Sequence, residues 1–219
     1  MNPSPNPPLD QRAVAAAVTA ERRALCDLLD SLAPDDWKIP SLCAGWTVQD
    51  VVAHLTLATR DTTWGMIRET IKARGSFDRM TADTARAHAR TFAPSELIRQ
   101  LRDTADSTRR APLSSHLDPL TDILVHGQDI ARPVGRSHPI SPEHAVPALS
   151  HAVASHWYGG AKRFRHVALV ATDAEWSAGG GQDEARGTAG ELLLVATGRH
   201  AGLAGLTGPG VDVLAAQMR

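Results

Sequence analysis

The 219-residue chain is long enough for one large domain, or for a medium domain with a smaller partner. Its 42% hydrophobic and 21% charged residues are ordinary for a globular protein, and a formal net charge of -1 gives no global polybasic surface for nucleic acid or anionic lipid. No apolar run approaches the roughly 20 residues that span a bilayer, and the opening MNPSPNPPLDQR has neither the basic start nor the apolar core of a secretory signal. Cys26 and Cys43 form no CxxC or zinc-ribbon spacing and indicate no disulfide framework. A cytoplasmic protein without a nucleic-acid or membrane partner is expected, as a monomer or homodimer.

Residues 1–9, rich in proline and asparagine, read as a disordered tail. From Asp10, a suitable N-cap, to Leu32, the residues Val14, Val18, Leu25, Leu28, Leu29 and Leu32 recur at helical spacing. Pro34, Pro40 and Gly45 break that helix. A second helix starts at Thr47, with Asp50 completing a capping box, and its pattern runs on towards Ile71. Lys72 to Arg90 is charged and weakly periodic and reads as a long connection with a partial helix. Pro94, Ser95 and Glu96 open a third helix reaching about Thr108; a fourth spans Asp118 to Arg132; a fifth opens at Ser141 and runs to about Trp157.

The character then changes. HVALVAT reads as a strand, AEWSAGGGQDEARGT as two short strands around a glycine turn, and Ala189 to Thr197 and Val211 to Gln217 as helices. The expected organisation is a tail over 1–9, a helical bundle over 10–157 and a small C-terminal α/β domain over 158–219, mainly α overall.

Among the 10 histidines, three acid and imidazole groups stand out. Asp122 and His126 lie four apart on one predicted helix, so both side chains project from one face and can reach one ion. Such pairs are more often surface contacts. His54, in the apolar run VVAHLTLA, faces the interior; alone it would read as a core histidine satisfied by a carbonyl or carboxylate. Together, two imidazoles and one carboxylate make a three-ligand set with an open position, as in catalytic zinc sites. Zinc is the expected ion, although the same ligand types suit non-haem iron. Asp129 and Asp50 are candidates to orient the free ring N–H of His126 and His54; a helix-end contact for Asp129 and an N-terminal helix charge for Asp50 are the plainer readings.

SLCAGWTVQDVVAHLT and DILVHGQDIARPVG resemble the two signature segments of the mycothiol-dependent maleylpyruvate isomerase family, part of the DinB-like superfamily of metal-binding four-helix bundles. The first helix with its following loop, and the ending from Ala174 to Leu214, resemble the same family. The resemblance implies that His54, Asp122 and His126 hold the metal, a divalent ion. It further implies that mycothiol, a low-molecular-weight thiol, is activated as a thiolate against a small-molecule electrophile, in S-transfer or cis–trans isomerisation. It also implies that Arg199, in TGRHAG, serves catalysis or thiol binding near the substrate. A helix-dipole contact is the plainer role for that arginine. The family pattern has glutamate where this chain has Asp122, one methylene shorter, so the helix must approach more closely or the carboxylate must bind differently.

Other features weigh less. Trp46 could line the pocket mouth and contact the cofactor, whereas Trp37 and Trp64 read as packing residues. Cys43, just before the second helix, could approach the metal, but the plainer reading is a small apolar filler. Gly179, Gly180 and Gly181 lack the GK[ST] of a phosphate loop and read as a turn. Arg186 is a weaker substrate-binding candidate than Arg199. Two other functions compete with the thiol enzyme: a non-catalytic metal or small-molecule binding module, and a hydrolase using metal-bound water.

Overall fold

The computed structural model describes residues 10–60, 77–110, 114–156, 158 and 163–218. The expected N-terminal tail, Trp64 and any continuation of the second helix beyond Arg60 lie outside the described residues. The chain divides into two compact units, one from Gln11 to His138 and one from Pro139 onward.

The first unit is a helical bundle. Its helices are α1 (Gln11–Asp30), α2 (Val48–Arg60), α3 (Phe77–Thr91), α4 (Pro94–Asp103) and α5 (Asp118–Ala131). Helices α1, α5, α2 and α4 pack as a closed ring, each against the next, and α3 lies along α2. Val14, Val18, Leu25 and Leu29 of α1 form the buried stripe that periodicity predicts. They meet Val51, Val52 and Leu55 of α2, Leu97 and Leu101 of α4, and Leu120, Ile123 and Leu124 of α5 in a common core. Cys26 belongs to that core, and burial pushes its thiol up to about 11, which keeps it protonated and inert.

Helix α3 departs from expectation. Where the sequence suggested a connection with a partial helix, residues from Phe77 to Thr91 form one continuous helix. Its buried stripe is Thr81, Ala82, Ala85 and Ala89, small side chains that let it lie close along α2 while contributing little hydrophobicity to the pattern.

The second unit joins α6 (Pro142–Ala154), a sheet, α7 (Ala189–Ala196) and α8 (Gly210–Gln217). Ser141 caps α6 by accepting from His144 N, and Thr188 caps α7 by accepting from Glu191 N. Helix α6 packs on α7. The compact units therefore divide at His138, whereas composition placed the change of character near residue 157. The sheet has the order β2-β1-β3, with β1 (Val167–Ala171) antiparallel to β2 (Ser177–Gly179) and parallel to β3 (Asp183–Gly187). The glycine triplet carries the chain across the end of β1: a Cβ at Gly179 would stand 2.0 Å from Val167 O, and one at Gly181 1.9 Å from His166 O. Only glycine fits that crossing. No helix among the described residues is long and apolar enough to cross a membrane.

Candidate metal centre

The first unit places the N-terminal part of α2 and the middle of α5 side by side, and a loop ties both together. In that loop Trp46 N donates to Cys43 O at 3.0 Å, closing a turn whose third residue, Gly45, has φ 76°. A tight turn of this kind needs a residue with positive φ there, which glycine supplies without strain. Ser41 N donates to Trp46 O at 2.8 Å, and Arg86 Nη2 of α3 donates to Gly45 O at 2.9 Å. The loop is pinned to α5 by Leu42 N, which donates to Asp129 O at 3.2 Å. Helix α2 then starts on a capping box: Asp50 Oδ2 accepts from Thr47 N at 2.9 Å and from Thr47 Oγ1 at 2.8 Å, while Asp50 N donates to Thr47 Oγ1 at 3.2 Å. Asp50 thus caps α2 and makes no hydrogen bond to His54.

One turn further along α2, His54 meets the acid–histidine pair of α5. Its Nε2 lies 3.8 Å from Asp122 Oδ1, and His126 Nε2 lies 3.4 Å from the same oxygen. The two imidazole centroids stand 5.0 Å apart, edge to face. One donor atom from each of the three residues falls within 4.8 Å of the others. In a tetrahedral site with bonds of ~2.1 Å, neighbouring ligand atoms stand about 3.4 Å apart, so the spacing fits a zinc-sized dication with small adjustments. The two histidine side chains keep 11% exposure and Asp122 keeps 35%, so the cluster faces solvent on the aspartate side. Asp122 reaches His54 because α2 and α5 pack directly. Trp46 stands edge-on to His54, with centroids 5.4 Å apart, and covers that flank.

Behind this set lies another. Asp129, with no exposed side-chain surface, accepts from His126 Nδ1 at 2.9 Å. An ionised carboxylate only accepts, so this contact puts a ring proton on Nδ1 and turns Nε2 towards Asp122 and His54. Asp129 Oδ2 also accepts from the Cys43 thiol at 3.1 Å. Cys43 is half-buried and touches His126 Nδ1 at 3.7 Å, so it is more than a packing residue. The sequence allowed the sulfur to approach the metal but favoured a packing role, because the turn through Gly45 rather than helical spacing brings it to α5. Its position just before a helix cap, beside Trp46, was the available signal.

Charge settles around these groups as their neighbours dictate. Burial alone would raise the pKa of Asp122, but the charge of His126 and hydrogen bonds from both histidines outweigh it and hold the carboxyl well below the usual range. Burial would likewise lower His126, yet Asp122, then the contacts to Asp129 and Cys43, raise it well above an ordinary histidine. The metal-free cluster is therefore a carboxylate–imidazolium pair, the charge arrangement a dication would replace.

Arg199 lies in the second unit, where its Nη1 donates to Thr197 O at 2.9 Å. Arg186, on β3, pairs with Glu184 Oε2 at 2.8 Å.

The sequence profile of the mycothiol maleylpyruvate isomerase N-terminal domain matches residues 18–119. Over those residues the chain is similar to that family's N-terminal domain. The matched segment contains Cys43, Trp46, Asp50 and His54 and ends just before Asp122. The fold extends the likeness: a crystal structure of the mycothiol-dependent maleylpyruvate isomerase superposes with TM-score 0.64 at 13% identity, covering 92% of this chain and 93% of that one. A histidine-to-alanine mutant of the isomerase superposes with TM-score 0.61 at 14% identity and the same coverage. At such identities the superpositions show the isomerase fold, a helical bundle followed by a small α/β part, and no more. No curated protein sequence gives a significant match.

Proposed function

We propose that this protein is a member of the mycothiol-dependent isomerase family and a metal-dependent enzyme that activates a low-molecular-weight thiol of the mycothiol type against a small electrophile, by S-transfer or cis–trans isomerisation. The observation that carries the reading is the convergence of His54 Nε2, Asp122 Oδ1 and His126 Nε2 from two packed helices. Two neutral imidazoles and one carboxylate suit zinc and leave one coordination position open. When bound, such a dication supplies Lewis acidity that lowers the pKa of a thiol ligand from ~8.5 to below neutrality.

The chain's own residues do the rest. Asp129 keeps the His126 proton on Nδ1, so that Nε2 presents its lone pair to the ion. Asp122 supplies the negative charge and, as the most exposed of the three, marks the side from which thiol and electrophile approach. Trp46 packs edge-on against His54 and covers part of its ring. Neither Cys26 nor Cys43 forms a disulfide, which suits a reducing, cytoplasmic setting.

The test uses the full chain stripped of metal and reloaded with zinc. Thiol consumption with maleylpyruvate and related unsaturated or electrophilic acids should require both zinc and mycothiol, with saturable binding of the thiol. His54→Ala should lower that turnover by about 10²-fold or more. Turnover without added thiol, or unchanged turnover in the His54→Ala chain, would overturn the reading.

A further inference from the structure

We propose that the opposite edge of the His126 ring forms a second, mutually exclusive cation site, in which Cys43 Sγ, His126 Nδ1 and Asp129 Oδ2 hold a thiophilic dication such as zinc or cobalt(II). This goes beyond the function proposed above and needs no thiol cosubstrate. The three donor atoms are as closely gathered as the first set: Asp129 Oδ2 lies 2.9 Å from His126 Nδ1 and 3.1 Å from Cys43 Sγ, and the sulfur lies 3.7 Å from the nitrogen. With metal–nitrogen and metal–oxygen bonds of ~2.1 Å and a metal–sulfur bond of ~2.3 Å, a tetrahedral ion needs separations of roughly 3.4 to 3.6 Å, within about half an ångström of those present. A thiolate, an imidazole and a carboxylate are also the donor types that zinc and cobalt(II) accept together.

The set is preorganised. Leu42 N holds the backbone of Asp129, the turn through Gly45 fixes Cys43, and Ser41 Oγ accepts from Cys43 N at 3.1 Å. Asp129 is wholly buried, so no water competes for its oxygen, while the half-buried sulfur leaves a route of entry. Uptake releases two protons to solvent, that of the Cys43 thiol and the one His126 carries on Nδ1. The ring proton then resides on Nε2, where Asp122 Oδ1 at 3.4 Å faces it. Because a neutral imidazole offers a lone pair on one nitrogen only, an ion at Nδ1 excludes one at Nε2. His126 therefore acts as a two-position switch between an open site with His54 and Asp122 and a sulfur-bound site with Cys43 and Asp129.

Cobalt(II) titration of the metal-free full chain tests this, read by the near-ultraviolet charge-transfer band that only a thiolate ligand produces. His54→Ala and Asp122→Asn, each crippling the open site, should bind one cobalt per chain with that band. Adding Cys43→Ser to either should remove it while far-ultraviolet circular dichroism stays unchanged. The unaltered chain should take one equivalent, not two. Cobalt bound by the folded variants without the band, no uptake by either, a band surviving Cys43→Ser, or two equivalents on the unaltered chain would overturn the proposal. Failure of the thiol-enzyme reading shows separately, as turnover that ignores His54.

Discussion

At the scale of single residues, the account turns on which atom faces which. Asp129→Asn keeps the size of the side chain, but its amide can turn an N–H towards His126 Nδ1 and no longer accepts as a carboxylate. Zinc affinity should fall about 10- to 100-fold, the usual loss when a ligand's orienting carboxylate is removed, measured by competition with a chelating dye. The metal-free chain should also respond to pH in a defined way. His126 is raised above its unfolded value near ~6.5, so its contribution to stability is fully present below that pH and is lost as pH rises through the folded value. Asp122 is lowered, so its contribution is present above ~3.9 and is lost as pH falls through its folded value. Urea unfolding in the presence of chelator should therefore show a plateau between ~4 and ~6.5 that declines on both sides. A stability that climbs steadily through pH 8 would contradict the imidazolium–carboxylate pair.

At the scale of elements, the helices that carry the ligands were legible because their apolar periods are strong and their starts carry capping residues. Thr47 with Asp50 announced α2, and spacing of four put Asp122 and His126 on one face of α5. Helix α3 was not legible, since a stripe of Ala82, Ala85 and Ala89 hardly differs in hydropathy from its surroundings. Its close packing on α2 makes a clear prediction. Ala85→Leu should overfill the α2–α3 contact and cost about 1–3 kcal/mol in denaturant unfolding. Thr47→Ala should cost about 1 kcal/mol by removing the cap, with His54 two turns downstream. For Cys43 the sequence offered an approach to the metal but not the contact with Asp129, which is distant in the chain and brought close only by the loop geometry.

At the scale of the whole molecule, the mainly helical bundle followed by a small α/β part was legible from the switch between helical and strand-like patterning. The dividing point was not, because α6 has a helical sequence like those before it yet packs on α7. All the donor residues fall in the first unit, three on α5, and His126 belongs to both candidate sets. His126 is therefore where the central claim is most exposed to test. Calorimetric titration of the metal-free full chain with zinc should give one saturable site per chain, and His126→Ala, still folded by circular dichroism, should abolish it. No saturable uptake by the unaltered chain, or equally tight uptake by the His126→Ala chain, would contradict the account.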